Sequence, residues 1–256
     1  MTTATLTKAP ATSLSRITRV VKLHLTNPRT TVTMPAIILG GIFLLSFAIW
    51  LLVYVNLDGA QVDNASEGIQ YSGASSWIFF YMMVVAIQAM NLTFPLALGY
   101  GSTRRDFYLG SALTFVVLSA GWAVALTILS ALESATNGWG VRMRMFTAIY
   151  FGGGETEIWQ RLVIFFCVML FFFFTGAAFA AVYVRWKATG LVASFLLIGV
   201  LLVGALWLLT YTQSWNAVGE FFAVNQAIGI GLWLLVPTAL AGLTGYAVLR
   251  RATPRS

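Results

Sequence analysis

The sequence has few charged residues, one cysteine and one histidine. Charged side chains make up 9% of its 256 residues, against roughly 25% in a typical soluble domain, so the chain has too little polar surface to cover a water-soluble fold. The single cysteine, Cys167, excludes an internal disulfide and a multi-thiolate metal site. The single histidine, His24, excludes a histidine-rich metal or acid–base centre. We therefore expect no metal and no cofactor.

Long apolar segments hold most of the hydrophobic residues, which make up 59% of the chain. Six of them reach about the 20 residues that cross roughly 30 Å of hydrocarbon, and their short connections predict antiparallel neighbours. The six segments are residues 34–56, 76–98, 109–132, 158–184, 188–211 and 227–249. The pattern predicts an all-α polytopic membrane protein in which residues 34–249 form one six-span transmembrane domain.

The segments on either side of this domain differ from it. Residues 1–12 contain no apolar core, which predicts a flexible tail and not a signal peptide. In residues 13–33, apolar side chains recur at helical spacing beside a basic flank, which predicts an amphipathic helix at the cytoplasmic membrane interface, ended by Pro28. Residues 250–256 form a basic cytoplasmic tail in this prediction.

Basic residues are distributed unequally between the two sides of the predicted membrane. If the spans alternate, 12 of the 15 Lys and Arg residues share the side of the N-terminus. The other three are Arg142, Arg144 and Arg161. Because Lys and Arg are enriched in cytoplasmic loops, both termini are predicted to be cytoplasmic. Basic residues placed beside apolar spans fit this role and not the binding of nucleic acid.

The predicted spans have no ionisable residue at their centres. Ion-coupled transporters commonly bind the coupling ion through such a group near the midplane, so we expect no coupling to a proton gradient by that route. The chain also lacks the G-x-x-x-x-G-K-[ST] pattern that binds nucleotide phosphates, and no lysine follows the glycine run at residues 152–154. If the protein performs work, a partner must supply the energy.

The predicted cytoplasmic loop between the second and third spans carries the most distinctive local pattern. Thr103, followed three residues later by Asp106, is typical of a capping box and predicts a helix that starts at Arg104 after a Gly-rich turn. That helix is expected to project its arginines and aromatics as a docking surface, since both are enriched in interface hot spots. The candidate docking residues are Gly101, Ser102, Thr103, Arg104, Arg105, Asp106, Phe107 and Tyr108. The alternative is that Arg104 and Arg105 only anchor the chain at the membrane.

This loop resembles the cytoplasmic loop of permease subunits of bacterial type 2 ATP-binding cassette exporters, which carries a Gly-(small)-Ser/Thr-Arg-x-(Asp/Glu)-Phe stretch. The residues that match are Gly101, Ser102, Thr103, Arg104, Asp106 and Phe107. The predicted interfacial helix, six spans, cytoplasmic termini and lack of a nucleotide site are similar to that family as well. The resemblance implies that the loop is a coupling helix resting on a separate ATPase subunit, which the N-terminal helix also borders.

The same resemblance implies an exporter permease in the bacterial plasma membrane, paired with a second permease copy or a homologous permease. ATP hydrolysis is then expected in the partner, and this chain is not itself an enzyme. Because the spans hold few polar side chains, an amphipathic or apolar cargo fits best: a lipid, a drug or an antimicrobial peptide. Two other classes stay open, a non-transporting scaffold or sensor subunit and a membrane enzyme that acts on lipids.

Two further groups of polar residues are candidate sites. Gln88, Asn91 and Thr93 precede Pro95 in the second span, where they either line a substrate path or bond to neighbouring helices. Polar groups in the outer connections form either an outer gate held by ion pairs or solvated loops with weak surface pairs. The gate candidates are Glu133, Arg142, Arg144, Glu155, Glu157, Glu220 and Asn225.

Two segments bear on how the spans pack. The small residues Gly176, Ala177, Ala180 and Ala181 in the fourth span have the spacing that permits close helix contact. The connection at residues 214–226 is either a re-entrant element, as in the family that the chain resembles, or an ordinary interfacial loop.

Overall fold

The computed structural model describes residues 13–25, 28–69, 71, 73–154 and 156–251, and this part of the chain is helical with no β-strand. Short helical turns at Arg29–Thr33, Gly138–Arg142 and Ile149–Phe151 join some of the longer helices. The α-helices are α1 (Ser13–Leu25), α2 (Met34–Asn56), α3 (Gly59–Ile69), α4 (Trp77–Gly99), α5 (Arg104–Ala135), α6 (Ile158–Tyr211), α7 (Trp215–Trp233) and α8 (Leu235–Arg250).

Five helical stretches in the described residues are long and apolar enough to cross a membrane. They are Arg29–Asn56, Trp77–Gly99, Arg104–Ala135, Ile158–Tyr211 and Trp215–Arg250. These helices fit a multi-pass membrane protein. Their number differs from the six predicted segments because α6 includes both the fourth and the fifth segment.

Helix α6 is a hairpin and not a straight rod. Its 54 residues would measure about 81 Å if they were straight, but the backbone is non-helical at Lys187, with φ 59° and ψ −149°. The rings of Phe179 and Phe195 stack with centroids 5.0 Å apart, whereas a straight helix would separate these residues by roughly 24 Å. The chain therefore reverses direction at Lys187.

The connection at residues 214–226 is helical from Trp215, and it ends in a second reversal. Gln226 has φ 50° and ψ −168°. The rings of Phe221 and Trp233 lie 5.7 Å apart on either side of this break. A short helix therefore folds back against the start of the following helical stretch, which continues through α8.

The core forms where α4, α5 and α8 pack around the first half of α6. Phe115 of α5 stacks on Phe173 of α6 at 5.1 Å. Gly176 lies so close to α4 that a Cβ atom there would be 2.5 Å from the carbonyl oxygen of Met83. Ala177, Ala180 and Ala181 are also buried. The close helix contact predicted from these small residues is confirmed.

Helix α1 and the second half of α6 differ in how they pack against this core. Helix α1 packs on α5, where a Cβ added to Gly110 would be 2.6 Å from the Cβ of Val20. The second half of α6, after Lys187, is exposed along almost its whole length, including Phe195, Leu201 and Trp207. An apolar helix that is exposed all round is stable in lipid and not in water.

Candidate functional sites

The loop between α4 and α5 is a tight turn followed by a capped helix. At the end of α4, the backbone amide of Ser102 donates to the carbonyl of Ala97, and Gly101 has φ +78°, as glycine-terminated helices commonly do. The Thr103 hydroxyl then accepts from the amide of Asp106 at 3.1 Å, and α5 begins at Arg104. The predicted helix start and its threonine cap are confirmed.

Asp106 links this loop to the N-terminal helix. Its carboxylate is only 3% exposed, and it accepts hydrogen bonds from the Ser13 hydroxyl at 2.8 Å and from Nε of Arg16 at 2.7 Å. A buried carboxylate needs such partners to offset the loss of water. Asp106 also has a side-chain hydrogen bond with Thr103, the cap of its own helix, and its bonds to Ser13 and Arg16 hold α1 against α5.

The prediction that Phe107 and Tyr108 project from the loop is wrong. Phe107 is fully buried and packs 5.2 Å from the ring of Phe94 on α4. The Tyr108 hydroxyl donates to the carbonyl of Gly242 on α8. Both residues point inward because α5 starts at Arg104 and runs into the core without a break, so successive positions of its first turn already face other helices.

The exposed side of the loop carries Tyr100 and Arg105. Tyr100 is 80% exposed, and Arg105 is exposed at the start of α5. Arg104 is half-buried and donates through Nη1 to the carbonyl of Arg250, at the end of α8, at 3.0 Å. Sequence reasoning missed Tyr100, although an aromatic side chain held between Gly99 and Gly101 in a turn is a signal for exposure.

The polar residues of the second predicted span lie near α1. The Thr93 hydroxyl is 3.4 Å from Nε2 of His24 and donates to the carbonyl of Ala89. Gln88 is exposed and lines a small cavity that also borders His24. The side-chain oxygen of Asn91 is buried with no hydrogen-bond partner. These contacts favour helix packing for Thr93, while the substrate-path role of all three residues stays a prediction.

Glu133, at the end of α5, accepts hydrogen bonds from several groups of the α5–α6 connection. It is 1% exposed. Its carboxylate accepts from the amides of Met145, Phe146 and Thr147, from the Thr147 hydroxyl at 2.6 Å and from the Trp139 indole at 3.1 Å. Both carboxylate oxygens are therefore occupied by donors of this connection, as a buried carboxylate requires. Glu133 fastens the segment after α5 and is poorly suited to act as a base.

The other gate candidates that the structure describes lie in more than one place. Arg142 and Arg144 line the same polar cavity as Glu133. Glu157 and Glu220 are exposed, on the turn before α6 and on α7. The remaining two candidates are Asn225, whose amide donates to the carbonyl of Phe221, and Glu155, which lies outside the described residues.

Arg161 was not a candidate, and the structure places it in this region. It is 2% exposed, and its Nη2 donates to the carbonyl of Gly153 at 2.7 Å. Its positive charge interacts with Glu133. No local sequence signal marks it, because the contact depends on how the α5–α6 connection folds over the end of the bundle.

Comparisons of the chain with protein-family models, with curated proteins and with solved structures found no match. Functional inference therefore depends on the residues themselves and on the loop resemblance.

Proposed function

We propose that this chain is the membrane-spanning permease subunit of a type 2 ATP-binding cassette exporter in a bacterial plasma membrane. In this proposal the two halves of α6 cross the membrane separately, which gives six spans, an interfacial α1 and two cytoplasmic termini. A separate ATPase subunit docks on the α4–α5 loop, a second permease completes the path, and the cargo is an amphipathic or apolar molecule.

The observation that carries the proposal is the set of contacts between the α4–α5 loop and three other helices. Asp106 holds α1 through Ser13 and Arg16. Phe107 packs on α4, and Tyr108 bonds to α8. A load applied to the loop is therefore passed directly to three helices, because closely packed side chains transmit displacement instead of absorbing it. A loop that served only as a membrane anchor would not need these contacts.

The exposed residues of the loop supply a surface for the partner. Tyr100 and Arg105 lie at the turn and at the start of α5, and both residue types are enriched in interface hot spots. In this proposal they contact the ATPase, while Asp106, Phe107 and Tyr108 face the bundle and transmit the motion.

The test is recovery of the ATPase with the tagged full-length chain, purified in mild detergent from its own host. We expect the wild-type chain to retain an ATPase with a phosphate-binding loop, and Tyr100→Ala combined with Arg105→Glu to reduce its recovery about tenfold. Tyr71→Ala, also at an exposed tyrosine, is the matched control and should not change recovery.

Two results would contradict the proposal. The first is an intact wild-type chain that retains no ATPase, which would favour the scaffold or sensor class. The second is unchanged recovery in the Tyr100 and Arg105 variant with normal membrane insertion, which would return these residues to the role of anchors.

A further inference from the structure

Helix α1 docks on α5 along one face, through side chains that are four residues apart. Nε of Arg16 donates to the Asp106 carboxylate at 2.7 Å. One helical turn further on, Val20 is buried against Gly110. After another turn, His24 is buried between α4 and α5. Because positions i, i+4 and i+8 share one face of a helix, these three side chains of α1 form one continuous contact.

The surroundings of His24 suit a neutral ring and not a charged one. The imidazole ring lies 5.9 Å from the ring of Phe107 and 6.5 Å, edge-on, from that of Phe115. The hydroxyls of Thr93 and Ser111 are 3.4 Å from Nε2, which is too far for a strong hydrogen bond. A proton added at Nε2 would therefore place a positive charge among aromatic rings with little compensation.

The segments packed around His24 offer a protonated ring no free carboxylate. Besides His24, the ionisable residues of α1, of the turn that leads into α2, of α4 and of α5 are Arg16, Arg19, Lys22, Arg29, Tyr81, Arg104, Arg105, Asp106, Tyr108 and Glu133. Of the two carboxylates, Asp106 is bonded to Ser13 and Arg16. Glu133 lies at the far end of α5, where the α5–α6 connection surrounds it. The remaining charges in these segments are positive and disfavour a second cation.

The attachments of α1 on either side of His24 do not change charge between about pH 7.5 and about pH 5.5. On one side lies the ion pair of Arg16 with Asp106, and an aspartate carboxyl ordinarily ionises near about pH 4. On the other side, the Tyr81 hydroxyl and the Trp122 indole donate to carbonyls of the turn that leads into α2. A charge gained by His24 therefore acts on a segment that is held at both ends.

The direction of the pH effect follows from burial. Burial lowers the pKa of His24 from its ordinary value of 6.5, and the hydrogen bond to Val20 opposes this only in part. When the ring is in water, its pKa returns to the ordinary value. Contact of this face with α4 and α5 is therefore fully favoured above about pH 6.5, and it weakens as the pH falls below that value, because only the exposed ring gains a proton readily.

We propose that α1 is an acid-sensitive strap: near neutral pH its face at residues 20–24 is docked on α4 and α5, and in acid this face separates while the attachments on either side of it persist. The strap adjusts the contact of α1 with the helix bundle to the pH of the compartment that α1 faces. It does not depend on the exporter proposal, since it involves only α1, α4, α5 and the turn between α1 and α2.

Cysteine labelling of the purified full-length chain in detergent tests the strap. Val20→Cys places a thiol on the buried face of α1, and Arg19→Cys places one on the exposed face of the same helix. The ratio of their rates of reaction with a maleimide cancels the pH dependence of the reaction itself. We expect this ratio to rise about tenfold from about pH 7.5 to about pH 5.5, because an exposed histidine changes from about one-tenth to about nine-tenths protonated over this range.

His24→Gln, introduced beside each of the two cysteines, is the matched control. Its ratio should not change with pH, because glutamine cannot gain a proton. Cys167 is buried in α6, so it reports global unfolding and should stay unlabelled at both pH values.

Hydrogen exchange gives the same comparison if Val20→Cys does not fold. Exchange of the α1 amides relative to those of α8 should rise in acid in the wild type and not in His24→Gln. A ratio that stays constant in the wild-type background would overturn the proposal. Equal pH dependence in the His24→Gln variant, or a parallel rise in the labelling of Cys167, would overturn it as well.

Discussion

At the scale of single residues, His24 has the clearest dependence on pH. It is buried between α1, α4 and α5, with Nδ1 2.9 Å from the carbonyl of Val20 and Nε2 3.4 Å from the hydroxyls of Thr93 and Ser111. Burial lowers the pKa of His24 from its ordinary value of 6.5, and the hydrogen bond to Val20 only partly opposes this. The folded protein therefore holds the neutral imidazole, with Nδ1 as the donor.

We expect the protein to lose stability as the pH falls below about 6.5. Below that pH the unfolded chain binds a proton at His24 that the folded chain disfavours, so the free energy of unfolding decreases by at most about 1.4 kcal/mol per pH unit from this group. The measurement is the melting temperature in detergent from about pH 7.5 to about pH 5.5.

His24→Gln is the control for this effect. His24 is the only histidine, so the variant should remove most of the pH dependence in this range. An equal decrease in melting temperature for the wild type and the variant would show that another group is responsible.

Glu133 carries the second prediction at this scale. Glu133→Gln keeps one accepting oxygen and replaces the other with an NH2 group that cannot accept, which leaves either the Trp139 indole or the Thr147 amide and hydroxyl without an acceptor. Because a buried donor left without an acceptor costs about 1–3 kcal/mol, the melting temperature should fall. Glu157→Gln, at an exposed carboxylate near the start of α6, should change it little, and equal melting temperatures for the two variants would contradict this role of Glu133.

Residue-level prediction succeeded where the signal was local. The Thr103 cap needs only its neighbours along the chain, and the sequence identified it. The burial of Tyr108, the partners of Asp106 and the electrostatic interaction of Arg161 with Glu133 depend on segments far away in the sequence. Phe107 and Tyr108 were therefore predicted to be exposed, because they lie beside arginines in a loop, although contacts with other helices bury them.

At the scale of helices, Gly176 tests how closely α4 and α6 pack. A Cβ atom at this position would lie 2.5 Å from the Met83 carbonyl, so Gly176→Val must push the helices apart, and overpacking of this kind costs about 1–3 kcal/mol. We expect a lower melting temperature for this variant. Gly204→Val, in the exposed half of α6 where an added Cβ meets nothing within 4 Å, is the same substitution without the clash and should be tolerated. A similar decrease in melting temperature for both variants would indicate an effect of lipid contact or of helix propensity instead of the clash with Met83.

Helix boundaries were predictable to the extent that apolar length determines them. The hydrophobic runs of the sequence predict α2 and the central part of α5 directly. The charged pair Arg185 and Lys187 indicated the reversal within α6. The reversal at Gln226 had no such mark, because neither glycine nor proline occupies the position and its φ of 50° is held by packing. Helix α3 was also missed, because its 11 residues contain only two large apolar side chains, Val62 and Ile69, which are too few for a strong helical pattern.

At the scale of the whole molecule, exposed apolar surface and charge placement bear on the membrane arrangement together. Helix α2 and the second half of α6 expose most of their apolar side chains, which requires lipid or another protein around them. The hairpin at Lys187 places Arg185 and Lys187 at a turn, where charged groups can remain in water while both arms are in lipid. In the exporter proposal both arms cross, and the resulting six crossings would place both termini on one side.

Cysteine labelling distinguishes six crossings from five. Six crossings from a cytoplasmic N-terminus place residue 212 outside and residue 253 inside, whereas a single crossing by α6 reverses both. Thr212→Cys should therefore react with an impermeant maleimide added to intact spheroplasts, and Thr253→Cys should not react. Asn64→Cys is the outside control, and Ser102→Cys is the inside control. The native Cys167 is buried, so the unmodified chain should give little background. Labelling of residue 253 without labelling of residue 212 would establish five crossings. It would contradict the cytoplasmic C-terminus that the exporter proposal expects.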